Sequence, residues 1–145
     1  MEKFQVSVEV RWSDVDQNRH VRHSAYYDYG AHARIKFLES VGFDAHTLGK
    51  LNIGPILFKE QCNFLKELSP SGRITINVLK GEISEGSPKW VLYHEIFNEK
   101  GEKAAHIKAE GAWMDLKERK VALPPHELFE HFDSLEQGED FVYQK

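Results

Sequence analysis

The chain has 145 residues, 41% of them hydrophobic and 29% charged, with a formal net charge of −4. That length carries one domain with a real core, and that composition excludes a disordered tail. The acidic balance argues against a general nucleic-acid partner, no apolar run is long enough to span a membrane, and the lone Cys62 allows no internal disulfide.

Met1-Glu2-Lys3 leads into a strand pattern with no signal peptide, so the expected setting is the cytoplasm. No repeat, low-complexity tract or linker divides the chain, and residues 1–145 read as a single domain. Residues 3–11 alternate strictly. Phe4, Val6, Val8 and Val10 face one way, and Gln5, Ser7, Glu9 and Arg11 the other, as in a half-buried strand.

A polar loop follows, with two carboxylates, two arginines and two histidines, and then a long helix starting near Ser24. The first turn of a helix offers unpaired N–H groups and the positive end of its dipole. A carboxylate beside such donors suits acyl transfer: the N–H groups hold a developing oxyanion while the carboxylate attacks or activates water. Asp16, eight residues ahead of Ser24, is that candidate, and a turn-forming or capping role is the plainer alternative. Asp14 reads as a loop carboxylate pairing with Arg11 or Arg19.

In the helix, Asp28, His32, Lys36 and Glu39 fall on one stripe roughly 80° wide at 3.6 residues per turn. The remaining surface carries Ala25, Tyr26, Tyr27, Tyr29, Gly30, Ala31, Ala33, Ile35, Phe37 and Leu38, so burial on most of its circumference is expected. Arg34 lies outside the polar stripe and calls for a carboxylate partner or a snorkelling path. Ser40-Val41-Gly42 reads as the exit, with Gly42 in the left-handed position.

Residues 43–54 read as a mixed connection, a possible short lid, ending in the breaker Asn52-Ile53-Gly54-Pro55. A strand is expected from Ile56 to Leu68, a turn at 69–72, and a strand over 73–84. The apolar parity of that strand switches after Val78, which predicts a bulge or a strong bend. Strands over 89–97 and 103–116 follow, then a short helix opened by Pro124-Pro125 and running to about Phe132. The last dozen residues read as frayed. His94, His106, His126 and His131 read as surface residues. Cys62, on an apolar strand parity, reads as a small core residue and not a nucleophile. His20 and His23 are three apart, but the loop supplies too few further ligands for a metal site. There is no GxSxG, P-loop or GxGxxG motif.

The economical arrangement is α+β: a curled five-stranded antiparallel sheet wrapped around one long helix, with a short C-terminal helix. The pattern resembles the hotdog fold and its 4-hydroxybenzoyl-CoA thioesterase-like group. Trp12-Ser13-Asp14-Val15-Asp16, His20-Val21, Tyr26, Ala33-Arg34 and Leu38 carry the resemblance, with Pro70 and Leu123-Pro124 extending it over nearly the whole chain. It implies hydrolysis of an acyl-CoA without metal or cofactor, in a homodimer or homotetramer. It puts Asp16 on the catalytic aspartate and His23 on the residue whose backbone N–H faces the thioester carbonyl. That position is also a histidine, with a proposed catalytic role, in the subgroup resembling the tol-pal-associated thioesterases. His23, Ser24 and Ala25 are then the oxyanion backbone. Trp12, Arg19, Arg22, Tyr26, Phe58 and Arg73 are candidates for holding substrate, the arginines by its phosphates.

Three departures stand out. The group usually has Gly where Arg19 stands and often Asn-Asn where Arg22-His23 stand, and the subgroup usually has Tyr where Trp12 stands. An indole can donate a hydrogen bond but cannot accept one. Two other functions fit the same pattern, an acyl-carrier-protein thioesterase and a non-catalytic acyl-CoA binding or sensing domain.

Overall fold

The structure is a computed structural model and describes residues 3–140. Strand β1 (Phe4–Glu9) leads through a 3-10 turn at Trp12–Asp14 into helix α1 (His23–Ser40). Then come helix α2 (Ala45–Leu51), strands β2 (Ile53–Phe64), β3 (Arg73–Lys80), β4 (Lys89–Phe97) and β5 (Lys103–Asp115), the two-residue strand β6 (Lys120–Val121) and helix α3 (His126–Asp133). The sheet order is β1-β3-β4-β5-β2, antiparallel throughout, with β6 on β5, so the expected five strands gain a short sixth.

α1 packs on the sheet face carrying Ile74, Ile76 and Val78 of β3, Leu92 and Ile96 of β4, and Ala105, Ile107 and Ala109 of β5, all buried. Phe4 from β1 meets Phe37 of α1 edge-on at 5.3 Å between ring centres. Gly30 permits this close approach: a Cβ there would stand 3.1 Å from His94 and 3.4 Å from Ile107. α1 begins one residue earlier than the sequence suggests. It ends as expected: Gly42 has φ +89°, Phe43 N–H donates to the Leu38 carbonyl at 2.8 Å, and Gly42 N–H donates to the Glu39 carbonyl at 3.1 Å.

Burial of α1 is less complete than its composition predicts. Ala25, Tyr26, Tyr29, Gly30, Ala33, Phe37 and Leu38 are buried, but Tyr27 and Ala31 are only half-buried and Ile35 is 56% exposed. One strip facing β2 is left open within a single chain. Arg34 finds its expected carboxylate in Glu60 of β2, at 3.6 Å.

Other readings need correction. Residues 45–51 form α2, capped by the Asp44 carboxylate accepting from Thr47 N–H at 2.9 Å and anchored by buried Phe43 and Leu48, so this stretch is not a loose lid. β2 starts at Ile53, and Pro55 lies inside it, tolerated on an edge strand. β3 stops at Lys80, and its pairing with β1 and β4 holds one register, so there is no bulge at Val78. Instead the ladder opens beside Asn77, whose side-chain oxygen accepts from Glu95 N–H at 2.6 Å. The register shifts lie at Leu57/Lys59 and Ile96/Phe97.

Residues 134–140 are held against the sheet and do not fray. Leu135 is fully buried, Lys80 N–H donates to the Glu136 carbonyl at 2.9 Å, and Gly138 N–H donates to the Lys80 carbonyl at 2.8 Å. The rest of the dozen, 141–145, lies outside the described residues.

Candidate active site

The loop between β1 and α1 is organised by Asp14. Its carboxylate is fully buried and accepts from Arg11 N–H at 3.1 Å, the Arg11 guanidinium at 3.1 Å and the Tyr29 hydroxyl at 2.9 Å. Its main-chain carbonyl accepts from Arg22 N–H at 2.7 Å, tying the loop to the helix start. Burial alone would raise the Asp14 pKa, but these donors outweigh it and hold the group below the usual carboxylate value. Burial and the Asp14 charge together push the Tyr29 phenol upward. The expected partner Arg11 is therefore present, and Arg22 and Tyr29 stand where Arg19 was the alternative.

Val15 and Val21 bridge across the loop, and Asp16 N–H donates to the His20 carbonyl at 2.9 Å, so residues 16–20 form a closed turn. Arg19 takes φ +61° within it, the left-handed region where glycine is at ease. The Asp16 side chain is exposed. Its Oδ1 accepts from Asn18 N–H at 2.9 Å and His20 N–H at 3.3 Å, while Oδ2 has no hydrogen bond among the described residues. Asp16 thus shapes its own turn, as the plainer reading expected, and still presents one oxygen outward.

α1 starts at His23 with Arg22 at the cap position, and no side chain caps it. The Ala25 N–H is already donated to the Arg22 carbonyl at 3.0 Å, so the three-residue oxyanion backbone reduces to His23 and Ser24. The His23 ring is exposed and rests against Phe64 at 5.1 Å. His20 pairs through Nε2 with Glu67 at 2.9 Å.

The other candidates separate. Trp12 is 92% exposed at the loop entrance, and Phe58, 60% exposed, sits at the β2 register shift. Tyr26 is buried: its hydroxyl donates to the Lys66 carbonyl at 3.4 Å and accepts from Leu68 N–H at 3.3 Å, with its ring edge on Phe64. Arg22 is engaged by the Ser13 carbonyl at 3.3 Å, by Ser24 Oγ and by Asp28 at 3.5 Å. Arg73 bonds Ser7 Oγ at 3.4 Å on the sheet face opposite α1, so it does not join the loop cluster. Arg19 remains exposed at the tip.

A profile of the thioesterase-like superfamily matches residues 10–132, spanning the loop, α1 and the whole sheet beyond β1. The chain belongs to that superfamily. The reaction class is therefore thioester hydrolysis. The chain is 28% identical over 135 residues to an acyl-acyl carrier protein thioesterase, ATL3, of Arabidopsis thaliana, covering 90% of this chain and 70% of that one. The fold matches the 1,4-dihydroxy-2-naphthoyl-CoA thioesterase of Synechocystis with a TM-score of 0.81 at 17% identity, covering 92% of this chain and 98% of the other. It also matches a Staphylococcus aureus protein solved in complex with CoA, with a TM-score of 0.85 at 16% identity, covering 97% and 90%. This is the hotdog fold expected from the sequence.

Three polar residues of the interior were missed. His94 is fully buried: its Nδ1–H donates to the Asn77 carbonyl at 2.8 Å, leaving Nε2 to accept from Arg34 at 3.0 Å. Burial, then the nearby Arg34 charge, lower its pKa to about 3. Arg34 in turn reaches Glu60, whose buried Oε2 has no hydrogen-bond partner among the described residues. The signal for His94 was in the chain, since it shares parity with Leu92 and Ile96. Burial and the Glu60 charge push the Cys62 thiol up to about 12, in keeping with an inert core residue.

Proposed function

We propose that the protein hydrolyses an acyl-coenzyme A to the free acid and CoA, with Asp16 as general base or as nucleophile. One observation carries this reading: Asp16 is pinned through Oδ1 by two loop amides, with Oδ2 outward, in the turn that feeds the uncapped start of α1. There the N–H groups of His23 and Ser24 polarise the thioester carbonyl, and the helix dipole favours the oxyanion as it forms. Asp16 either takes a proton from water or attacks to give a transient anhydride that water then opens. The His23 imidazole, steadied by Phe64, orients that water. Arg19 is the arginine best free to meet the CoA phosphates, and Trp12 offers an exposed ring near them.

The likeness to ATL3 favours a second reading, the same chemistry on an acyl-carrier-protein thioester. The working form is a homodimer in the cytoplasm. β2 is an edge strand with an open ladder, and Phe58 on it is exposed, which a second copy would cover.

A panel of acyl-CoA and acyl-carrier-protein thioesters, followed by free-thiol release, tests the reading. Asp16→Asn keeps the shape and removes the basicity, so turnover is expected to fall at least about a hundredfold. Turnover near wild type in that variant would remove Asp16 from the reaction.

A further inference from the structure

α1 and β2 run antiparallel, side by side. At one end the rings of His23 and Tyr26 lie on Phe64, at 5.1 and 5.0 Å. Midway Arg34 meets Glu60 at 3.6 Å. At the other end Ala31, Arg34, Ile35 and Leu38 of α1 face Pro55 and Leu57 of β2 across an apolar cavity of about 150 Å³, walled behind by Trp90, Trp113 and Phe132. The half-buried strip of Tyr27, Ala31 and Ile35 is the open lip of this seam. Its only charges, Arg34 and Glu60, offset each other, and His94 holds the Arg34 guanidinium from below. The seam is thus an apolar track from the first turn of α1 to a closed end.

Length converts the track into a substrate class. At 1.5 Å per residue, Ala31 lies about 12 Å and Leu38 about 22 Å along the helix from His23. An extended alkyl chain advances about 1.25 Å per carbon, from bonds near 1.5 Å at tetrahedral angles. A chain whose thioester carbonyl sits at the His23 N–H enters the cavity after about ten carbons and reaches its end by about seventeen.

We propose that the α1–β2 seam is the acyl-binding track and that the substrate carries a long unbranched acyl chain, of about twelve to sixteen carbons by this rise. Ala31 and Leu57 set the passable width, and Trp113 and Phe132 set the limit. The proposal rests on the thioesterase reading above. A short or aromatic acyl group would stop before the cavity and gain nothing from it.

The test is the ratio of kcat/KM for hexadecanoyl-CoA to that for butanoyl-CoA, in wild type, Ala31→Trp and Leu57→Trp. Both variants block the track from opposite walls, and melts establish that each is folded. Each methylene denied burial costs about fourfold, so a block at Ala31 is expected to lower the ratio at least about thirtyfold. Hexadecanoate binding by calorimetry, read in the same three proteins, is expected to be lost in both variants. If wild type hydrolyses no thioester yet binds hexadecanoate and the variants do not, the catalytic reading fails and the track stands. If wild type turns over short and long chains alike, the track is refuted and the catalytic reading stands. If the variants lower all chain lengths equally and change the molecular mass by light scattering, the seam is a contact between subunits, and the proposal is overturned.

Discussion

His94 makes the stability of this fold depend on pH well above the acid range. The neutral ring donates from Nδ1 to the Asn77 carbonyl and accepts at Nε2 from Arg34. Protonation would turn Nε2 into a donor aimed at a guanidinium, in a site with no water to screen the pair. The charged groups facing the ring are Arg34 from α1 and His106 from β5, both opposing a second positive charge. The folded-state value falls to about 3 from an ordinary 6.5. Between those values the unfolded chain binds one more proton than the folded one, so stability rises with pH there, and acid removes it. The slope is about 1.4 kcal/mol per pH unit, or roughly 2 kcal/mol lost from pH 6.5 to pH 5. His94→Gln offers an amide donor and a carbonyl acceptor but does not titrate. Urea melts of both proteins at pH 7.5, 6.5, 5.5 and 5, at one fixed concentration, read the difference. Wild type is expected to lose stability more steeply than the variant by about that slope. Parallel curves would mean that His94 is protonated in the fold, and the tautomer derived from its two contacts would be wrong.

Other outcomes follow from the packing. Ala33 is fully buried and His32 exposed on adjacent positions of α1, so Ala33→Phe should cost about 1–3 kcal/mol or more in denaturant melts and His32→Ala less than about 0.5 kcal/mol. Equal effects would deny that α1 is the wrapped element. Tyr29→Phe removes a donor from a buried carboxylate and should cost about 1–3 kcal/mol. The same loss should weaken acid resistance: Asp14 lies below its ordinary value of 3.8, so its contribution is complete above that pH and disappears as pH falls through the folded-state value. Light scattering at micromolar concentration should find a dimer, and a fully active monomer would refute the second copy on β2.

Much of the fold was legible because its periodicities are clean. The strict alternation over 3–11 and 89–97 and the apolar excess on α1 each force one arrangement. The failures have local causes. Residues 43–54 carry a helix of only two turns, whose cap at Asp44 was masked by the breaker residues after it. The parity change after Val78 marks the point where an Asn side chain substitutes for main-chain pairing, which no apolar pattern records. At the site, the spacing picked out Asp16 but undervalued Asp14, since the burial of a carboxylate depends on Tyr29, fifteen residues away. Arg73 entered by charge alone, and register puts it on the other face of the sheet. His94 was set among the surface histidines because its residue type outweighed its parity.

The strand order has a consequence for how the chain assembles. β3, β4 and β5 are consecutive neighbours joined by short turns, so they can pair as soon as they exist. β1 is made first, yet its only partner is β3, with Phe4 opposite Val78. α1 also precedes the sheet that buries it. During synthesis the N-terminal strand and the apolar side of α1 must therefore wait until the meander emerges, with loop closure across some seventy residues still to come. A stalled or truncated chain ending before β3 would hold both surfaces uncovered, which makes the first half of this protein the part most dependent on chaperones.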